Sequence, residues 1–288
     1  MRGCTLLFSD IHADIGALDA ILKVTHDPGF SGRFGPVERV LNLGDVVERG
    51  YHPCEVIDRL RSLHHLTSVM GNHDEAFICG SPVSGSDDRS ETASLQCRAQ
   101  GTWEGFLEKG YNYWQDDEAR LFAAHGGPID PEKICPGEAD CLTAWLHGRT
   151  WQRISRDGRR YFDWSGYHYP PEDAFAAVRD ALDPGFAILC GHEHSEAAYE
   201  EDINGSVTDV LYGLQKSSFT VKGRRIDEKL LPLLEGRNYL VRLGLAGPEG
   251  YYSYLGWDRS YFGVYYEKDG QRYISLLSFL LGRDMVPP

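Results

Sequence analysis

Residues 66–74 read LTSVMGNHD, an apolar run that leads directly into four small or polar residues. Leu66 to Met70 has the length and composition of a buried strand. Two earlier runs, Cys4 to Phe8 and Val37 to Leu43, have the same form. Stretches with apolar residues at helical spacing separate the three runs. This β-α-β-α-β alternation predicts an α/β core with parallel strands.

Further elements are predicted along the rest of the chain. After Val207, aromatic and β-branched runs alternate with glycine turns, which predicts antiparallel strands packed beside the core, and Lys268-Asp269-Gly270 is typical of a hairpin turn. We expect one domain over residues 1–288, with insertions near 80–113 and 129–171. The remaining predicted elements are helices at Ala13 to His26, from Pro53 onward, at Leu95 to Glu108 and at Ala174 to Leu182, and strands at Leu121 to Ala124 and Ala187 to Cys190.

Five short polar motifs follow apolar runs. Their carboxylate, imidazole and amide groups are ligands that suit divalent cations, and parallel strand ends would gather them at one sheet edge. The sequence therefore predicts a site for two adjacent metal ions. The motifs are Asp10-Ile11-His12, Gly44-Asp45, Gly71-Asn72-His73-Asp74, His125-Gly126 and Gly191-His192-Glu193-His194.

Spacing and chemistry suggest individual roles. Asp10 and His12 are two residues apart at a strand end, so their side chains should face the same way. Asp45 has two oxygens and could bridge both cations, although a turn or cap role stays open for it. His73 should point away from its neighbour Asn72, which favours a general-acid role. Asp74 is expected to accept a hydrogen bond from the His73 ring and raise its basicity.

Composition limits the class of protein. The chain has 288 residues and a formal net charge of −14, which disfavours nucleic acids and anionic membranes as partners. Seven cysteines at irregular spacing, with no Cys-x-x-Cys pair, favour reduced and mostly buried thiols. There is no apolar segment long enough to span a bilayer and no cleavage signal, so we expect a cytoplasmic protein. No motif predicts an oligomeric state.

The order of these motifs resembles the calcineurin-like metallophosphoesterase superfamily. Its pattern is Asp-x-His, Gly-Asp, Gly-Asn-His-Asp/Glu, His and Gly-His-x-His, and every position is filled between Cys4 and Ser195. The chain is most similar to the small bacterial phosphodiesterase group, through Gly50 to Ile57 and the turn Gly244 to Pro248. In that turn Leu245 replaces the group's serine.

The resemblance implies a fold, a cofactor and a reaction. The fold would be α/β, a four-layer α/β/β/α sandwich with two mixed β-sheets. The protein would be a phosphoric ester hydrolase for a small phosphorylated substrate, a mono- or diester, attacked by a metal-bridging hydroxide with His73 as general acid. The two divalent ions would be Mn, Fe, Zn or Ni. Asp10, His12, Asp45 and His194 would hold the first, and Asp45, Asn72, His125 and His192 the second.

Several alternatives stay open. Arg49 follows Gly-Asp at a spacing similar to that of Ser/Thr phosphatases, so it is either a phosphate clamp or part of a surface salt bridge. The spacing also admits a dinucleoside polyphosphate hydrolase or a Ser/Thr-type protein phosphatase. A non-catalytic scaffold is a further alternative. The insertions should shape the substrate pocket, and their tryptophans could stack on a base or simply pack; these are Trp103, Trp114, Trp145, Trp151 and Trp164.

Overall fold

The computed structural model describes residues 3–81, 83–134, 141–155 and 165–282. In these parts of the chain the strands are β1 Cys4–Phe8, β2 Val37–Asn42, β3 Leu66–Ser68, β4 Trp114–Asp116, β5 Leu121–Ala123, β6 Arg153–Ile154, β7 His168–Tyr169, β8 Ala187–Cys190, β9 Ala197–Glu201, β10 Val207–Asp209, β11 Gln215–Val221, β12 Arg224–Leu233, β13 Asn238–Arg242, β14 Arg259–Lys268 and β15 Gln271–Leu280. The helices are α1 Ile15–Thr25, α2 Pro28–Phe34, α3 Pro53–Arg61, α4 Asn72–Cys79, α5 Asp88–Gln100, α6 Pro131–Ile134, α7 Cys141–Leu146, α8 Pro171–Val178 and α9 Tyr251–Tyr254.

The strands form two large mixed sheets. The first has the order β11-β12-β15-β14-β1-β2-β3 and the second the order β10-β9-β13-β8-β5-β4. Strands β1, β2 and β3 are parallel to one another, as are β5, β8 and β13. The remaining pairs in both sheets are antiparallel. Each sheet therefore presents a bundle of parallel carboxyl ends at one edge.

Three apolar cores separate four layers. The central core lies between the sheets, where Leu41 of the first sheet and Leu189 of the second belong to one buried cluster. One outer core joins the first sheet to α1, α2 and α3, with Ile21 fully buried. The other joins the second sheet to α8 through Phe175. The predicted α/β/β/α sandwich with two mixed sheets is confirmed.

The location predicted for the C-terminal strands is wrong. They do not pack beside the α/β core, because β14 pairs with β1 and β13 with β8, so they extend both sheets. The hairpin between β14 and β15 is confirmed. Asp269 and Gly270 both have positive φ, 54° and 77°, as the favoured two-residue hairpin turn requires.

The helix predicted at Leu95 to Glu108 is wrong in its boundaries, since α5 runs from Asp88 to Gln100. Helix α5 begins after Asp87, whose side chain accepts a hydrogen bond of 2.8 Å from the Ser90 N–H. Its end lies at Gly101, which has φ 68°. An N-capping aspartate and a left-handed glycine are the usual signals for these two ends.

The expectation of reduced cysteines is wrong for one pair. Cys54 of α3 and Cys97 of α5 form a disulfide, with their Cα atoms 5.4 Å apart. Cys4 and Cys190 are buried thiols as expected, whereas Cys79 and Cys141 are exposed, and residue 135 lies outside the described residues. None of the described helices has the length and apolar character needed to cross a lipid bilayer.

Candidate metal centre

Loops at the carboxyl ends of five parallel strands supply the polar motifs. Backbone hydrogen bonds join these loops directly, from Asp10 N to Gly44 O at 2.9 Å and from His12 N to Asp45 O at 3.0 Å. On the second sheet, Gly191 N donates to His125 O at 2.8 Å. The His192 N–H also donates to Asp10 Oδ2 at 3.1 Å, which joins the loops of the two sheets. Side chains far apart in sequence therefore meet at these loops.

The motif residues do not continue their strands. Strand β1 ends at Phe8, and φ is 57° at Asp10 and 45° at His12. Asp45, His192 and His194 are also left-handed, at 56°, 71° and 59°. The argument from strand alternation is therefore wrong, although the side chains do converge. A non-glycine residue with left-handed φ/ψ angles is strained by about 1–3 kcal/mol, and such strain typically clusters at functional sites.

A first group of donors comprises Asp10, His12, Asp45 and His194, whose ligand atoms all lie within 4.8 Å of one another. His194 Nε2 is 3.2 Å from Asp10 Oδ1 and 3.1 Å from His12 Nε2. The other ring nitrogen of His12 lies 3.4 Å from the Val47 carbonyl, which can only accept, so Nδ1 carries the hydrogen and the Nε2 lone pair faces the group.

A second group comprises Asp45, His125 and His192, again within 4.8 Å. His125 Nδ1 donates to the Leu43 carbonyl at 2.7 Å, so its Nε2 faces inward. Burial alone would lower the pKa of His125, but the charge of Asp45 raises it to about 9. The Asn72 carbonyl oxygen lies 3.2 Å from that Nε2. The seven predicted ligands thus come together in the same two groups that the family resemblance implies.

Asp45 lies where the two groups meet. Its Oδ2 atom is 3.7 Å from His12 Nε2 and 3.3 Å from His125 Nε2. Its Oδ1 accepts a hydrogen bond of 2.9 Å from the His73 N–H. Burial alone would raise the pKa of Asp45, but the charges of His125 and His73 reverse this and hold it well below its usual range.

Asp10 is oriented in the same manner. Its Oδ2 accepts a hydrogen bond of 3.1 Å from the His192 N–H, and its Oδ1 faces His194. Each aspartate therefore has one oxygen held by a backbone donor and one directed between imidazoles. Burial lowers the pKa of both His12 and His192 well below the usual range, with the positive charges of Arg49 and Arg153 respectively adding to it. Neutral imidazoles are the form that binds metals.

The donor set fits a pair of cations. Asp10 Oδ1, Asp45 Oδ2 and His192 Nε2 are buried and have no hydrogen-bond partner within the described part of the chain. Such atoms are costly to bury unless a ligand satisfies them. Mixed nitrogen and oxygen donors suit several first-row divalent metals. Gly71 leaves room for the Asp45 carboxylate, since a Cβ there would lie 2.0 Å from Asp45 Oδ1.

His73 and Asp74 differ from their predicted pairing. Asp74 Oδ1 accepts from the N–H groups of Val46 and Val47 at 2.8 and 3.3 Å, and Oδ2 accepts from Gly71 at 3.0 Å. His73 Nδ1 has no partner among the described residues. The expected ring hydrogen bond to Asp74 is therefore wrong. Asp74 instead ties the start of α4 to the loop after β2, and burial together with the Asp45 charge raises its pKa to about 7.

Arg49 is buried at the edge of the first group, so its reading as part of a surface salt bridge is wrong. Its Nε donates to the Ser84 carbonyl at 2.9 Å, and one Nη1–H donates to the Tyr252 hydroxyl. The same Nη1 is 3.5 Å from His12 Nε2. Among the described residues no carboxylate forms an ion pair with it. The guanidinium thus keeps donors near the cavity.

A cavity of about 930 Å³ opens over the two groups. Both insertions contribute to its wall, through Ser84 and Gly85 and through Trp145 and Trp151. Trp145 donates to Glu75 Oε2 at 2.8 Å and contacts Trp151 with ring centroids 4.9 Å apart. Residue 164 lies outside the described residues.

The sequence reasoning missed one side of this cavity. It is formed by the segment 251–257, in which Tyr252 is buried and Trp257 is 44% exposed. The available signal was the density of aromatic residues in that short stretch, directly after the turn that resembles the phosphodiesterase group.

Comparisons with known proteins show what the chain is similar to. A family model for calcineurin-like phosphoesterases matches residues 5–196. A metallophosphoesterase from Sphaerobacter thermophilus is similar in structure, with a TM-score of 0.55, 22% identity and coverage of 95% of this chain and 87% of that one. A hypothetical protein from Pyrococcus horikoshii OT3 has a TM-score of 0.49 at 14% identity, over 91% of this chain and 83% of that one.

One curated relative is also similar, an uncharacterized protein from Methanocaldococcus jannaschii. It is 37% identical over 78 residues, which are 27% of this chain and only 29% of that protein's length. The family match is far longer, covers well over half of the chain and contains both donor groups. Together with the two mixed sheets, it shows that the chain belongs to the calcineurin-like phosphoesterase family.

Proposed function

We propose that the protein is a binuclear metal-dependent phosphoesterase that hydrolyses a phosphate mono- or diester. The observation that carries this proposal is the sharing of Asp45 by two compact donor groups. The first cation would be held by Asp10, His12, Asp45 and His194. Asp45, Asn72, His125 and His192 would hold the second. Bound there, the ions would polarise the phosphoryl oxygens and lower the pKa of a water so that it becomes a nucleophile at neutral pH.

Asp45 is suited to bridging through a single oxygen. Because Oδ1 accepts the His73 N–H, only Oδ2 is directed between His12 and His125. Both donor groups therefore depend on that one oxygen, and a pair of cations held there would act together on one phosphoryl group.

His73 is the proposed proton donor to the leaving oxygen. Its side chain lines the cavity, and its backbone is fixed to Asp45. Its ring is at 86° to that of His12, with centroids 4.9 Å apart, so it lies beside the donor groups. Because Asp74 does not hold the ring, the ring is oriented by packing, and Asp74 acts on it only through the backbone of α4.

Arg49 is the proposed phosphate clamp. Its guanidinium is held on one side by the Ser84 carbonyl and on the other by the Tyr252 hydroxyl. Both partners accept hydrogen bonds and neither carries a negative charge, so the positive charge stays available to an anion. A charged donor of this kind, held beside the cavity, favours the oxygens of a bound phosphoryl group.

Cleavage of a dinucleoside polyphosphate is a second candidate. The cavity volume of about 930 Å³ far exceeds the space that a phosphate needs, and aromatic rings line its wall. Trp151 lies beside His192, with ring centroids 5.9 Å apart. A base stacked on such a ring would be held close to the metal centre.

Metal-dependent turnover is the test of the proposed function. Chelator-treated protein should be inactive on nitrophenyl phosphate esters and regain activity when Mn²⁺, Zn²⁺, Fe²⁺ or Ni²⁺ is added. A panel of monoesters, diesters and dinucleoside polyphosphates then ranks the substrates by kcat/KM. A protein that binds two ions but hydrolyses none of the panel would favour the scaffold alternative.

A further inference from the structure

We propose that Tyr252 is a positioning residue that links the phosphate clamp Arg49 to the metal ligand His194. This inference rests on the proposed function, since it gives a role to residues of the same site. The sequence motifs contain no sign of Tyr252, and it lies 203 residues from Arg49 and 58 from His194.

The hydroxyl of Tyr252 lies between the two side chains. It accepts a hydrogen bond from Arg49 Nη1, and it is 2.7 Å from His194 Nδ1. The guanidinium carbon Cζ of Arg49 lies over the Tyr252 ring, 5.4 Å from its centroid. The Tyr252 and His194 rings meet edge to face, with their centroids 5.0 Å apart. One buried side chain therefore contacts both functional groups through its ring and its oxygen.

The hydrogen positions determine what the hydroxyl does. A neutral imidazole has one N–H, so His194 can present an Nε2 lone pair to a cation only if Nδ1 carries the hydrogen. That Nδ1–H then donates to the Tyr252 oxygen. Arginine can only donate, so the same oxygen also accepts from Arg49. Metal binding by His194 and orientation of Arg49 therefore depend on one acceptor atom.

The chain around Tyr252 is fixed to the metal-site loops. Ala246 N donates to Ser9 O at 3.1 Å, and Gly247 N donates to Asp10 O at 3.0 Å. Gly250 has φ 71°, and a Cβ there would lie 2.0 Å from the Arg49 carbonyl oxygen. The segment therefore approaches the Arg49 backbone as closely as a glycine permits. This fixed approach makes Tyr252 a rigid support rather than a mobile side chain.

Tyr252→Phe is the variant that tests this role. The substitution keeps the ring and removes the hydroxyl oxygen. His194 Nδ1–H and one Arg49 N–H then lose their shared acceptor. Titration of the untagged, chelator-treated protein with Mn²⁺ alone should show one of two sites weakened by about 10–100-fold, the range for loss of a partner behind a metal-bound histidine. The second site should be unchanged. The melting temperature should stay close to that of the wild type, because the ring remains packed.

Tyr254→Phe is the matched control. Tyr254 belongs to the same short helix, is 71% exposed, and loses the same atom. A second readout is the KM for a phosphate ester, which should rise in Tyr252→Phe and fail to rise further when Arg49→Ala is already present. The inference is overturned if Tyr252→Phe binds both ions as tightly as Tyr254→Phe does, or if the KM effects simply add.

The result separates this inference from the proposed function. Should the wild type bind none of Mn²⁺, Zn²⁺, Fe²⁺ and Ni²⁺, the metal-dependent function fails, and the role of Tyr252 falls with it. Should the wild type bind two ions and turn over ester while Tyr252→Phe behaves like Tyr254→Phe, only the role of Tyr252 is disproved.

Discussion

The backbone N–H of His73 donates a hydrogen bond of 2.9 Å to Asp45 Oδ1. This bond joins the first turn of α4 to the loop after β2, and it determines which carboxylate oxygen remains for cations. Oδ2 is left between His12 and His125, buried and without a hydrogen-bond donor among the described residues. A bond between the start of a helix and a loop therefore orients the atom on which both proposed metal sites depend.

Asp45→Asn should abolish binding at both sites. The amide oxygen can still accept the His73 N–H, so the fold is retained, but the amide nitrogen then occupies the Oδ2 position, where it cannot bind a cation. We expect Mn²⁺ affinity to fall by more than about 100-fold, because loss of a residue that only hydrogen-bonds a metal ligand already costs up to about that much. Metal analysis after dialysis measures this. Asp27→Asn, at the N-cap of α2, is the control, and two ions retained in Asp45→Asn would contradict the shared-ligand arrangement.

His73→Gln should affect the reaction without affecting the metals. Glutamine keeps a hydrogen-bond donor but cannot transfer a proton at neutral pH. Turnover of an ester with an alkoxide leaving group should therefore fall by roughly 10²–10⁴. A nitrophenyl ester should lose much less, since nitrophenolate leaves without a proton. Equal losses on the two esters, at unchanged metal content, would rule out the general-acid role.

Arg49→Ala tests the phosphate clamp. Hydrogen bonds that involve a charged group contribute about 1.5–3 kcal/mol, so inhibition by inorganic phosphate should weaken by about 10–150-fold. Arg49→Lys should recover only part of this, because an ammonium lacks the planar fork of donors. Arg89→Ala is the control: Arg89 contacts the ring of Tyr51 and does not line the cavity. An unchanged inhibition constant in Arg49→Ala would leave the arginine with only a structural role.

Much of the candidate metal centre could be predicted because it depends on topology. Asp45 and Asn72 follow neighbouring parallel strands of the first sheet, whose carboxyl ends meet at one edge. His125 follows β5 of the second sheet, which packs against the first. The order of motifs along the chain was therefore enough to predict one site for these donors, whereas their division into two groups came from the family resemblance. The local geometry could not be predicted, because left-handed backbone at Asp10 and Asp45, and not strand alternation, directs the side chains.

The role of Asp74 was predicted wrongly and that of Tyr252 was missed, for different physical reasons. Asp74 occupies the first turn of α4, where an acidic side chain folds back to the amide groups at the helix start. The adjacent pair Asp74-Glu75 was an available signal for that helix. For Tyr252 the available signal was the aromatic density of residues 251–257, which does not indicate what the tyrosine contacts. Its contacts with Arg49 and His194 are made by a short helix between two strands, and neither spacing nor periodicity relates these three residues.

Glu48 is buried three residues after Asp45 and should make stability depend on pH. Burial raises the pKa of Glu48 from 4.5 to about 7, although a hydrogen bond with Ser94 and the charge of Arg98 partly oppose the effect. Between these two values the folded protein binds more protons than the unfolded chain. The free energy of unfolding therefore decreases as pH rises from below 4.5 to above 7.

Glu48→Gln removes this dependence, because glutamine is neutral at every pH. At pH 4.5 the variant should have no advantage over the wild type. At pH 8 it should be more stable by up to about 3 kcal/mol, the equivalent of the pKa change. Urea unfolding at both pH values measures the difference, with Glu118→Gln on the exposed surface as the control. A gain that is equal at the two pH values would show that folding does not change the pKa of Glu48, and that Ser94 and Arg98 fully offset its burial.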